Sequence, residues 1–499
     1  MAKAAGSHFT LKRISGTLKV LVKNKMALVG LVLLFSFVFI ALAAPLLTPY
    51  SPGAAVSGDL AQPDWVMNFP DGYYLSKNLA EPATNTFTSP ASIQAWTLSA
   101  SPATLAKVQE SYAPHVNFTS ASQGSLQLSY TGNSPGTVRI FETFQFPYRG
   151  PPDRFIANIH YLLSGATNST PVNVKVFIER SQTPTAQDYF LVNENDSTNG
   201  VWMPTPTAPL FLLDSKNSLL GQFLGLPLNT NPTQIIFSQA TSYSYGIQVT
   251  FYGHQTVNVD DFRIQLLGTA FGLMGTDYSG ADVFTQTVYG SRISLFVGLL
   301  SAGIGIGIGL VVGLLAGFLG KIVDETLMRF TDMMLVIPSL PLLIVLVAVI
   351  GPSILNIIIV IGFLGWMGFA RIIRAQVLTL RERPFIEAAR ASGAGPGRII
   401  VKHVFPNIVS LTYVNLALSV PAAILTEAAL AFLGLSDPSV ISWGHMFYTV
   451  EVSGTLSHFP PAWWWVLPPG FGIALVSLSF ILIGYALDEI FNPRLRKRR

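Results

Sequence analysis

The densest run of informative residues lies between Arg383 and Asn407. Pro384 suits the first position of a helix, where its missing N–H is not needed. Glu387 then falls in the first turn, where the helix dipole favours an acid. Ala388 and Ala389 keep that helix thin and strongly helical. Gly393 suits the left-handed position that ends it. Gly395-Pro396-Gly397 makes a turn, and Pro396 can start a second short helix running through His403. Pro406-Asn407 predicts a break before the next apolar run. Such residues do mechanical rather than covalent chemistry. Two short helices at a fixed angle can fit a groove on another protein and transmit a push. A surface hairpin with no partner is the plainer alternative.

Signals for bond-making chemistry are weak. The chain has no cysteine, which excludes disulfides, thiolate metal sites and cysteine nucleophiles. It has no His-Glu-x-x-His and no convincing carboxylate pair, so a membrane-anchored hydrolase finds little support. Nor is there a Gly-x4-Gly-Lys-Ser/Thr phosphate loop, since Gly320-Lys321 lacks the earlier glycine and is followed by Ile322. No cofactor or metal is expected in this chain. Gly305, Gly309, Gly313 and Gly317 recur at i+4 in an apolar run, a stripe that permits close helix packing, with pore lining as the alternative. Glu427 stands inside another such run. An acid there is a functional suspect by default, or a satisfied structural group. The tryptophans at 463–465 read as an interfacial anchor.

These residues need elements to position them. Half of the 499 residues are apolar and 11% are charged, with a mean hydropathy of +0.47. Soluble domains carry roughly 25% charged residues, so a wholly soluble or disordered chain is excluded. Spanning a bilayer takes about 20 apolar residues. Runs of that kind cover 26–47, 291–319, 333–350, 354–370, 408–433 and 463–487, the fifth over-long and containing Pro421. The first is too long for a cleaved signal sequence and is read as a retained helix. Lys and Arg gather in 1–25, 320–332, 371–407 and the tail, while 351–353 and 434–462 have none. By the positive-inside rule, six helices follow, with both termini and the 371–407 stretch in the cytoplasm of a cell membrane. Residues 51–292 hold 10 basic and 16 acidic residues against 20 and 10 elsewhere. The basic inner face suits anionic lipid and argues against nucleic acid as partner.

The stretch 51–270 is then extracytoplasmic. Leu126, Leu128 and Tyr130 alternate with polar residues, as do Val172, Val174 and Val176, and Ile247, Val249 and Phe251. Period-2 alternation punctuated by Gly, Pro and Asn predicts a β-sandwich. Val257 to Ile264 resembles the closing strand of jelly-roll carbohydrate-binding-like modules. Sequons at Asn117, Asn168 and Asn195 agree with an exterior position.

Glu387-Ala388-Ala389, three residues, Gly393, nine residues and then x-x-x-Pro406 resembles the coupling loop of ABC-importer permeases. His403, Pro406 and Asn407 resemble the His-x-x-Pro-Asn ending of the peptide/nickel branch. Gly275-Thr276-Asp277, Gly280 to Val283, Tyr289 to Ser294, Glu427 to Leu435 with Ser442-Trp443-Gly444, Trp463 to Trp465, and Leu487-Asp488 with Asn492-Pro493-Arg494 resemble further segments of that branch. Ala281 stands where an arginine is usual. The resemblance covers about 1–50 and 270–499 and leaves out the large insertion. It implies an α-helical polytopic permease with 1–50 as first helix, 51–270 as inserted β-rich domain and 271–499 as a five-helix core. It further implies a homologous second permease, two ATPase subunits that bind the ATP and magnesium, and an external solute-binding protein. Glu387 and Gly393 would seat the loop in the ATPase groove. Peptides are the implied solute and oligosaccharides the alternative; an anchored carbohydrate-binding or adhesion protein would leave the loop without a purpose. Asp277 and Glu427 remain open between pathway and structural roles.

Overall fold

The structure is a computed structural model that describes residues 23–81, 86–181, 186–206, 213–227, 230–457 and 461–491. The basic residues Lys3, Lys12, Arg13 and Lys19, the sequence Asn492-Pro493-Arg494 and the basic tail lie outside the described residues. Two compact units divide the chain, one formed by Met1–Gly53 with Val283–Arg499 and the other by Ala54–Asp282.

The first unit is helical. Among the described residues, five stretches are long and apolar enough to cross a membrane: α1 (Lys25–Leu47), α2 (Val283–Leu319), Ile354–Arg381, Pro396–Phe432 and α11 (Trp463–Phe491). A sixth span requires α3 (Lys321–Val336) and α4 (Ser339–Ile350) together, which meet at a bend of 88°. The apolar run 333–350 therefore does not form one straight helix. Pro338 supplies the reason, because its ring drives Ile337 into an extended conformation with ψ 126°. Ile354–Arg381 consists of α5 (Ile354–Leu364) and α6 (Met367–Arg381), so Arg371, Arg374 and Arg381 continue a span rather than lie in a loop. α1 opens on Asn24, whose Oδ1 accepts from the Met26 N–H at 2.9 Å and whose Nδ2 donates to Glu489 at 2.8 Å. It packs on α11 where Gly30 leaves room for the Ser479 carbonyl, 2.8 Å from where a Cβ would stand.

The second unit is an antiparallel β-sandwich. Five strands, β2 (Thr97–Ala100), β5 (Gly136–Phe146), β10 (Thr241–Phe251), β7 (Val172–Arg180) and β8 (Gln187–Asp196), form one sheet in that order. The other runs β3 (Val108–Pro114), β4 (Gly124–Tyr130), β11 (Gln255–Leu267), β6 (Arg154–Ser164) and β9 (Trp202–Pro204), with β1 (Leu79–Glu81) also paired to β11. The alternating apolar residues named above all fall in strands and are buried. Leu126, Leu128 and Val257 of one sheet share a core with Val174, Val176, Ile247 and Val249 of the other. β11 is the last strand, and its acidic pair is structural. Asp260 is fully buried and accepts from Phe118 N–H at 2.7 Å, Thr119 N–H at 3.1 Å and Ser122 Oγ at 2.7 Å. Asp261 sits on a bulge with φ +50°. Gly132-Asn133-Ser134-Pro135-Gly136 has the Gly-x-Ser-x-Gly spacing of hydrolases. Here it turns β4 into β5, whereas a nucleophile elbow joins a strand to a helix.

Candidate coupling hairpin and translocation cleft

α7 (Pro384–Ala391) begins on its proline with Glu387 in the first turn. It ends in a six-to-one turn, the Ala394 N–H donating to the Ala389 carbonyl at 3.1 Å and the Gly393 N–H to Arg390 at 2.9 Å. Gly393 takes φ +78°, which costs an L side chain roughly 1–2 kcal/mol. α8 (Pro396–Ile399) follows, then a turn of π-helix over Ile400–Val404, then α9 (Phe405–Phe432). Pro406 does not break the chain as expected. The π-turn bonds Phe405 N–H to the Ile400 carbonyl, and Pro406 then falls in the first turn of α9, where no N–H is required. Asn407 Nδ2 donates to the His403 carbonyl at 2.6 Å and closes the joint.

Three buried side chains, Ile386, Ile399 and Val404, tie this hairpin to the spans. Ile386 is fully buried in a core with Phe318 of α2, Ile373 and Val377 of α6, Ile399, Val404 and Ile408. Arg390 lies over the Phe318 ring, 5.4 Å from its centroid. The opposite face, with Glu387, Ala388, Ser392 and Gly393, is exposed. Arg374 Nη2 on α6 donates to Asp324 of α3 at 2.7 Å, so the bent helix is pinned to the same end. The hairpin is therefore joined to α2, α6 and α9 through packed side chains.

The glycine stripe of α2 meets backbone. A Cβ at Gly309 would lie 2.7 Å from the Trp366 carbonyl, at Gly313 2.6 Å from the Ala370 carbonyl, and at Gly317 3.0 Å from the Arg374 carbonyl. Gly305 faces the end of α5 at 3.2 Å from the Gly362 carbonyl, and it also lines a cleft. That open cleft of about 190 Å³ lies between α2, α4, α5 and α9, and Ser301, Ser339, Ser419 and Thr426 are its polar lining. None of its lining residues carries a charge.

Glu427 on α9 lies away from this cleft in the lining of a second, smaller one and is 4% exposed. Its Oε1 accepts from Ser442 Oγ at 2.6 Å, and its Oε2 has no partner among the described residues. Ser442 also caps α10 (Trp443–Val452), accepting from the His445 N–H at 3.1 Å. Burial lowers the His445 imidazole below its ordinary range, and its Nδ1 lies 2.8 Å from Ser436 Oγ. Asp277 belongs to the β unit, where its Oδ1 accepts from Ser279 N–H and Oγ and from Ala281 N–H within 2.9 Å and shapes a turn.

Sequence reasoning missed Trp443 as a keystone. Its indole N–H donates to the Thr287 carbonyl at 2.9 Å, and Phe37 of α1 meets it edge-on at 5.8 Å. Gly290 and Gly472 leave room for the ring, with a Cβ at 3.0 and 2.8 Å from it. A Cβ on Gly444 would come within 2.6 Å of Ala428. The signal was present as separate motifs, Tyr289-Gly290 and Ser442-Trp443-Gly444, without sign of their meeting. Trp443→Ala empties a fully buried site and should cost about 3–5 kcal/mol. A thermal unfolding midpoint unchanged from the parent would refute that role.

Apolar spans packed glycine against backbone, a neutral cleft between them and a rigid hairpin fixed to their ends define a multi-pass membrane permease. The family described as binding-protein-dependent transport system inner membrane component matches residues 309–497. The N-terminal transmembrane domain of oligopeptide transport permease C matches residues 14–65. The dipeptide transport system permease protein of Alkalihalophilus pseudofirmus is 40% identical over 223 residues, 44% of this chain and 72% of that protein. The oligopeptide transport system permease protein of Bacillus subtilis is 38% identical over 224 residues, 45% and 72% of the two chains. A solved methionine ABC transporter in an inward-facing conformation shares 21% identity over 42% of this chain and 96% of its own, with TM-score 0.32. The chain belongs to the family of binding-protein-dependent ABC-transport permeases and is itself a translocation subunit.

Proposed function

We propose that this chain is one permease subunit of an ATP-driven importer of dipeptides or oligopeptides. A homologous permease completes the pathway, two ATPase subunits bind the ATP and magnesium, and an external binding protein delivers the peptide. The termini and the 384–404 hairpin face the cytoplasm, and the β-sandwich stands outside. Glu387, Ala388 and Gly393 form the face that seats in an ATPase groove, Ala389 packs between that face and the core around Ile386, and His403, Pro406 and Asn407 set the joint to α9. ATPase closure would move the hairpin as a rigid body and switch the spans between inward-open and outward-open. The observation that carries this reading is the core in which Ile386, Ile399 and Val404 fasten the hairpin to α2, α6 and α9 while its opposite face stays exposed. The peptide solute rests on the names of the relatives. The test is uptake of radiolabelled trialanine by liposomes holding the complete transporter, with ATP on the hairpin side and the binding protein on the other. Accumulation that requires both is expected. Accumulation without ATP, or ATP hydrolysis coupled only to a different solute, would overturn the reading.

A further inference from the structure

Three of the four hydroxyl groups of the cleft are already committed as donors. Ser301 Oγ donates to the Ile358 carbonyl at 3.2 Å, Ser419 Oγ to Asn415 at 2.8 Å and Thr426 Oγ1 to Ala422 at 2.7 Å. A hydroxyl has one proton and two lone pairs. With the proton held by a helix carbonyl, what remains for a solute is acceptor capacity. Ser339, in the exposed first turn of α4, is the fourth hydroxyl and makes no such bond among the described residues. The wall thus offers three acceptors against one uncommitted donor, and no fixed charge.

We infer that this cleft selects for hydrogen-bond donors: it accepts ammonium and amide N–H groups of a passing peptide and disfavours carboxylate side chains. The inference rests on the peptide reading above and deepens it. A solute entering the cleft leaves water. Its N–H groups find Ser301, Ser419 and Thr426 as new partners, so their desolvation is compensated. A carboxylate meets lone pairs facing it and apolar walls such as Ile306 and Leu343, and loses hydration without replacement. The selectivity is electrostatic but built from dipoles, so it grades donors rather than demanding one side chain.

The complete transporter in liposomes tests this, with trilysine and triglutamate each titrated up to saturation of the binding protein. KM then reports capture and kcat reports passage. The parent should turn over trilysine faster than triglutamate. Ser419→Ala with Thr426→Val removes two acceptors at nearly constant shape. It should lower kcat for trilysine about tenfold, the worth of roughly one lost hydrogen bond, and leave KM within about twofold. Thr426→Ser in the Ser419→Ala background should restore part of the loss. A kcat ratio between the two peptides that the substitutions do not change, including an equal fall for both, overturns the inference while peptide import stands. Failure of the parent to import either peptide overturns the peptide reading and this inference with it.

Discussion

Replacing Gly309 and Gly313 by leucine is expected to force α2 away from α6 and to abolish the folded permease. The new Cβ atoms would stand 2.7 and 2.6 Å from the carbonyl oxygens of Trp366 and Ala370. These obstacles are backbone, so no rotamer change relieves them and the helices must separate. Overpacking costs about 1–3 kcal/mol at a site that can adjust, and more where it cannot. Gly303 and Gly307 provide the internal control. They sit on the same helix at the same i+4 spacing, and a Cβ at either meets nothing within 4 Å. Leucine at those two positions should leave the detergent-purified chain monodisperse, with an unfolding midpoint near that of the parent. Equal behaviour of the two pairs would show that α2 does not pack on α6 through this stripe.

That contrast shows what a sequence can and cannot carry. The i+4 spacing marks both glycine pairs as small faces, but the rotation of α2 against α6 decides which one is buried. Local backbone chemistry was legible. Pro384, Glu387 and Gly393 predict the ends of α7 because each acts through its own φ angle or the helix dipole. The β-strands were legible too, since alternation reports one wet face. The bend between α3 and α4 was not, because hydropathy over 333–350 does not register the backbone change that Pro338 imposes. Pro406 misled for a related reason, its effect being absorbed by the π-turn before it. Trp443 and the hydroxyl cleft depend on contacts between helices far apart in sequence, and no local pattern encodes them.

The second large effect is expected at the hairpin. Gly393→Pro cannot adopt φ +78°, because the proline ring holds φ near −65°, and it removes the N–H that bonds Arg390. Glu387→Ala removes the exposed acid of the first turn. Neither side chain belongs to the core around Ile386, and a Cβ at Gly393 meets nothing within 4 Å. The spans should therefore fold while the seat for the ATPase is lost. Peptide uptake should fall about a hundredfold, equivalent to about 2.7 kcal/mol of coupling, with residual ATP hydrolysis no longer answering to peptide. Coupled uptake at the parental rate in the double variant would show that the hairpin does not transmit the stroke.

The most direct test of the central claim uses the absence of native thiols. Ala388→Cys places this chain's single thiol on the exposed face of α7, where a benzophenone maleimide can be attached in the complete transporter. Illumination should join this chain to an ATPase subunit, and the yield should change between the nucleotide-free and ATP-bound complex. A cross-link to the external binding protein, or none to any ATPase subunit in a complex that still imports peptide, would contradict the account.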